Sequence, residues 1–200
     1  MAKLSEVRKT VAGYLTEPAV WLLSRTSITP SAITWFGFLL AVGAAALITI
    51  GHLFAAGFVV LIAGFCDILD GALARRTNQV TPFGTILDST IDRLSEAVVL
   101  IGILVLYARD HSFALVLLVC IALLASLLVS YIRARAEALG LECQVGLFTR
   151  AERVIVLALG LLLSQIDYAF LVIALAIIVV FSFFTAGQRL IYVQQQAKNK

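Results

Sequence analysis

The sequence predicts an all-α integral membrane protein, with six transmembrane helices preceded by an N-terminal amphipathic interfacial helix, forming one domain over residues 1–200. Three observations predict it. Of the 200 residues, 62% are hydrophobic and only 14% charged, whereas soluble domains carry about 25% charge. The apolar residues collect into runs long enough for a bilayer, which takes ~20 residues of helix. Lys and Arg fall almost wholly to one side of those runs, following the rule that keeps short basic loops cytoplasmic. A soluble globular domain is excluded on these grounds, and nucleic acid is not among the expected partners.

Residues 1–28 are read as the interfacial helix and its linker, and 29–200 as the bundle. Between Lys3 and Trp21, the residues Leu4, Val7, Val11, Tyr14 and Leu15 recur at helical spacing beside Lys3, Glu6, Arg8 and Lys9. That is the pattern of a helix lying in the membrane surface among lipid headgroups. Its charge, and the break at Glu17-Pro18, argue against a cleaved signal peptide. The spans follow at Ser31 to Ile50, Leu53 to Ala74, Phe83 to Tyr107, Phe113 to Arg133, Phe148 to Gln165 and Tyr168 to Tyr192. With six spans every Lys and Arg except Arg109 lies at or near one face, so both termini and the acidic motif are expected on the cytoplasmic side; a prokaryotic cell membrane is the expected location. Adding or losing one span scatters the later arginines over both sides. Cys66, Cys120 and Cys143 lack the spacing of a zinc site or disulfide framework and are read as unpaired thiols.

Four carboxylates interrupt this apolar frame: Asp67 and Asp70 late in the second span, and Asp88 and Asp92 early in the third. A charge near the bilayer centre costs about 2.5–3.5 kcal/mol on insertion scales, so such residues face a polar cavity or a partner. The first pair is spaced i, i+3 and the second i, i+4, so each projects from one helix face. Four converging negative charges repel unless cations neutralise them. Oxygen ligands at this density suit magnesium or manganese, and no His or Cys at metal-site spacing favours zinc. Gly71, Ala74 and Gly84 leave room for a nucleotide or diphosphate to approach the backbone, and Arg75 can offer forked hydrogen bonds to phosphate. Glu96 continues the stripe of Gly84, Asp88 and Asp92 at intervals of four. A plainer reading pairs Asp67 and Asp70 with Arg75 or Arg76, and Asp88 or Asp92 with Arg93. It accounts for single salt bridges but not for two paired-acid faces flanking a Gly-containing stretch.

The segment from Asp67 to Asp92 reads D-x-x-D-G-x-x-A-R-x8-G-x3-D-x3-D, and this resembles the signature of the CDP-alcohol phosphotransferase family. The resemblance extends over the six-helix pattern and so over essentially the whole chain. It implies an enzyme in which Asp67, Asp70 and Asp88 hold metal, with two magnesium ions expected and manganese as the alternative. Asp92 is then the general base, placed to touch metal as well. An alcohol oxygen attacks the lipid-side phosphorus of CDP-diacylglycerol and CMP leaves, with no covalent enzyme intermediate. Gly71, Ala74, Arg75, Thr81 and Gly84 are the implied nucleotide-side contacts, although Thr81 before Pro82 serves equally as a helix cap. Pro30, Ser31, Ala32 and Ile33 form a further candidate contact; relatives often carry Asn where Ser31 stands. A homodimer is also implied.

Arg133, Arg153 and Arg189 come from three helix ends and can converge on a phosphate monoester. As a plainer alternative, they form a basic collar touching anionic lipid headgroups. DSTIDR, RARAE and ERVI resemble the phosphatidylinositol phosphate synthase branch of the family. By that resemblance the acceptor is inositol 1-phosphate, bound by these three arginines with Arg135 and Glu152 in support. Two other readings stay open. A phosphatidylglycerophosphate synthase, taking glycerol 3-phosphate, would use similar arginines. A metal-binding transporter would also carry intramembrane carboxylates, but no inverted repeat is evident and the acids sit at one face.

Overall fold

The computed structural model describes residues 17–198 apart from Gln144, and every element in it is helical. A short helix α1 occupies 17–23; the rest of the expected interfacial helix, up to residue 16, lies outside the described residues. Then come α2 (Pro30–Thr49), α3 (Leu53–Arg76), α4 (Pro82–Arg109), α5 (Phe113–Ala138), α6 (Arg150–Leu163) and α7 (Ala169–Lys198). Two starts are written by a Thr-Pro pair: Thr29 accepts a hydrogen bond from the Ala32 amide, and Thr81 accepts one from the Gly84 amide at 3.0 Å. Each hydroxyl satisfies an amide that has no partner inside its helix, and the proline costs nothing at the first helical position.

Four helices, α2, α3, α5 and α7, are long and apolar enough to cross a membrane. The other two depart from the expected spans for identifiable reasons. The first half of α4 carries Asp88, Asp92 and Arg93, and Glu96 follows at its midpoint. For its part α6 has only 14 residues, or about 21 Å at 1.5 Å per residue. It starts at Arg150 rather than Phe148, because Phe148 is buried with its amide bonded to the Thr185 hydroxyl.

The six long helices close into a ring in which each packs on two neighbours, in the order α2, α3, α6, α7, α5, α4 and back to α2. The main core fills the half of the ring away from the acidic motif, with Ala41, Ala44, Ile48, Leu100, Ile103, Leu161, Leu171 and Leu175 among its members. Small residues set the spacing: Gly102 of α4 lies so near α2 that an added Cβ would stand 2.9 Å from the Ala45 backbone. Outside, Phe36, Leu39, Ile62, Leu124 and Val180 are exposed, an apolar outer face suited to lipid and not to water. At the near end, a smaller cluster packs Val20 of α1 against Ile33, Cys66, Leu69 and Leu73.

Candidate active site

The acidic motif lies at the end of α3 and the start of α4, which are joined by a short turn that reverses the chain. Carboxylate oxygens of Asp67, Asp88 and Asp92 lie within 4.8 Å of one another. A single divalent ion spans such a group with metal–oxygen bonds of ~2.0–2.6 Å, so these residues fit a hard cation. The fourth aspartate stands aside. Asp70 is 3% exposed, and its carboxylate accepts hydrogen bonds from the Thr34 hydroxyl and the Gly71 amide, each at 2.5 Å. The expected convergence of four acids is thus a group of three with Asp70 adjacent, because Thr34 of α2 claims Asp70 from the neighbouring helix.

The acids do not form the local pairs that the plainer reading required. Arg150 reaches in from the first turn of α6, and its Nη1 lies 2.5 Å from Asp67 Oδ2 and 2.7 Å from Asp92 Oδ1. Arg93 turns back to the carbonyl of Ser89. One turn deeper, Arg153 forms a fork with Glu96, Nε to Oε1 at 2.6 Å and Nη2 to Oε2 at 2.8 Å. Two rungs of acid and guanidinium thus cross the interior of the ring between α4 and α6.

Two cavities open on either side of Asp88. The first, about 490 Å³, is lined by Pro30, Ser31, Thr34, Asp70, Gly71, Ala74, Arg75, Thr81, Gly84 and Asp88. Arg75 folds over Gly71, where an added Cβ would stand 3.3 Å from its Nη1. Thr81 borders this cavity and caps α4 at once. Ala32 and Ile33 are not in the lining; Ile33 is turned into the core against Cys66 and Leu69. The second cavity, about 560 Å³, is lined by Asp88, Asp92, Arg93, Arg133, Glu137, Thr149, Arg150, Arg153 and Arg189. Both volumes fall in the range of small-molecule sites, about 300–1,000 Å³.

All three arginines of the sequence reading border the second cavity, but each is held differently. Arg133 is half-exposed and pairs with Glu137 at 2.8 Å. Arg189 is buried and donates to the carbonyls of Val145 at 2.9 Å and Val129 at 2.5 Å. Arg153 is tied to Glu96. The two residues expected in support do other things: Arg135 is exposed and outside the lining, while Glu152 accepts the Thr149 amide at 2.7 Å and so caps its own helix. Arg150 and Thr34 escaped the sequence reading. The Arg150 and Arg153 spacing of three at a helix start was the available signal, since it puts both on one face. For Thr34 the signal was a hydroxyl one turn after Pro30 in an otherwise apolar run.

A family model described as CDP-alcohol phosphatidyltransferase matches residues 27–184. An archaetidylinositol phosphate synthase of Methanothermobacter thermautotrophicus is 40% identical over 178 residues, covering 88% of this chain and 89% of its own length. A phosphatidylinositol phosphate synthase of Mycobacterium tuberculosis is 37% identical over 172 residues, 84% of this chain and 78% of its own. A crystal structure of the M. tuberculosis phosphatidylinositol phosphate synthase with CDP-DAG bound matches with a TM-score of 0.81 at 36% identity, covering 90% of this chain and 94% of that one. Another, in complex with manganese and citrate, gives 0.80 at 37%, covering 90% and 88%.

Proposed function

Because the chain belongs to the CDP-alcohol phosphatidyltransferase family, we propose that it transfers the phosphatidyl group of CDP-diacylglycerol to inositol 1-phosphate, giving phosphatidylinositol phosphate and CMP. The observation that carries this reading is the pair of cavities meeting at Asp88, one floored by small residues under Arg75, the other walled by arginines. The first takes the cytidine diphosphate: Gly71, Ala74 and Gly84 give clearance and Arg75 donates to the diphosphate. The second takes the acceptor, whose phosphate is gripped by Arg133, Arg153 and Arg189. Asp92 borders only the acceptor cavity of these two, so it is placed to accept the proton of the attacking hydroxyl.

Two magnesium ions, with manganese as substitute, would be held by Asp67, Asp88 and Asp92, with Asp70 on the donor side. When bound, they neutralise the diphosphate and stabilise charge at the attacked phosphorus. In the same reading α4 and α6 complete six spans, α1 lies at the membrane surface, the active site faces the cytoplasm, and the protein works as a homodimer. A second reading changes only the lipid. The archaetidylinositol phosphate synthase relative matches at 40% identity, which supports an archaetidyl donor in place of the diacylglycerol one.

The test is CMP release by the detergent-purified protein with magnesium, on CDP-diacylglycerol and on CDP-archaeol, against inositol 1-phosphate, glycerol 3-phosphate, free inositol and serine. Turnover confined to inositol 1-phosphate is expected. Turnover confined to glycerol 3-phosphate would move the acceptor while leaving the aspartate chemistry in place, and release without any added acceptor would overturn the two-cavity reading.

A further inference from the structure

Arg153 is 1% exposed and sits at the wall of the acceptor cavity, yet two of its three nitrogens are already spent. Nε and Nη2 form the fork with Glu96, itself only 8% exposed at the side chain. The remaining nitrogen, Nη1, is buried and has no hydrogen-bond partner among the described residues. A guanidinium left to itself at a cavity wall can rotate and offer any edge. Gripped by a carboxylate through two parallel bonds, it is fixed in one plane, with a single donor group left over.

We propose that Glu96 is a positioning residue that aims Arg153 Nη1 at the phosphate of the acceptor. This rests on reading the arginine-walled cavity as the acceptor site. Glu96 lies one helical turn beyond Asp92 on the same face of α4, so one element carries the group placed to receive the acceptor's proton and the group that orients its phosphate anchor. The apolar residues Val99, Leu157 and Ile178 line the same recess as the pair and keep it out of water, where the fork is stronger. Because the pair is neutral as a unit, Arg153 supplies directed hydrogen bonds here rather than net charge. That separates its task from that of half-exposed Arg133.

The experiment compares wild type, Glu96→Gln and Glu96→Asp in CMP release from CDP-diacylglycerol, with inositol 1-phosphate varied and then the lipid varied. Glu96→Gln keeps the shape but loses the charged fork. It is expected to raise the acceptor KM at least tenfold, with kcat and the CDP-diacylglycerol KM within twofold of wild type. Glu96→Asp keeps the charge on a shorter arm and should fall in between. An acceptor KM within twofold of wild type overturns the inference, and so does an equal rise in both KM values, which marks a purely structural role. If Glu96→Gln does not accumulate, Glu96→Asp gives the same readout. An active wild type with an unmoved variant removes this inference alone, whereas a wild type inactive on inositol 1-phosphate removes the proposed function together with it.

Discussion

One guanidinium nitrogen of Arg150 serves two carboxylates, Asp67 and Asp92, at 2.5 and 2.7 Å. Two of the three residues that fit a cation are therefore also partners of an arginine, and a metal ion bound there would compete with Arg150 for the same two carboxylates. Arg150→Ala is expected to lower the half-saturating magnesium concentration while raising the acceptor KM, because Arg150 also lines the cavity proposed for the acceptor. Losing one hydrogen bond to a charged group is worth about 1.5–3 kcal/mol, roughly ten- to a hundredfold. Titrating activity with magnesium, then with inositol 1-phosphate, checks both signs, and a raised magnesium requirement would sink the competition. Asp92→Asn should abolish turnover yet leave CDP-diacylglycerol binding largely intact, whereas Asp67→Asn should weaken both; equilibrium binding of the nucleotide lipid beside turnover separates them. The aspartates were legible because helical spacing alone puts each pair on one face. Arg150 was not, since its partners lie 83 positions away for Asp67 and are chosen by how α6 packs on α3.

At the scale of elements, the Thr-Pro starts of α2 and α4 were written locally and the helices begin where those signals stand. The start of α6 was misjudged because the loop before it is anchored by tertiary contacts. Gly146 in that loop has φ +139°, and an added Cβ would stand 2.8 Å from Thr185 Cγ2 and 3.3 Å from Arg189 Nε. The loop also supplies the Val145 carbonyl that holds Arg189. Gly146→Ala is therefore expected to cost about 1–3 kcal/mol in backbone strain and to raise the acceptor KM several-fold through Arg189. Gly102→Ala makes the contrast: its Cβ would press on the Ala45 backbone at 2.9 Å, with an overpacking cost of about 1–3 kcal/mol. There the acceptor KM should stay unchanged, because neither the glycine nor Ala45 borders either of the cavities proposed for substrate. Thermal unfolding in detergent and steady-state kinetics on both variants test the pair; a KM change in Gly102→Ala, or none in Gly146→Ala, would contradict this division.

Across the whole molecule, composition was enough to read a helical membrane protein, but the closed ring of six helices was not in the sequence, because which helix neighbours which is decided by packing. The ring puts the acids, both cavities and the turn near Asn78 at one end. At the other end Arg109 donates to the Thr49 carbonyl, and the turn through Asp110 and His111 follows. Among the described residues every Lys and Arg but Arg109 lies toward the first end, and in the proposed orientation the basic-loop rule puts that end in the cytoplasm. Single cysteines at Asn78 and at Asp110 should then be labelled from opposite sides by a membrane-impermeant maleimide. The native thiols permit this. Cys66 and Cys143 are buried, and burial also pushes the Cys143 thiol up, leaving little reactive thiolate; exposed Cys120 is replaced by Ser in the background. In intact cells Asp110→Cys is expected to react and Asn78→Cys to react only after permeabilisation. The reverse pattern would put the site outside, away from the cytoplasm, and labelling of both in intact cells would deny that α4, which runs from one turn to the other, crosses the membrane.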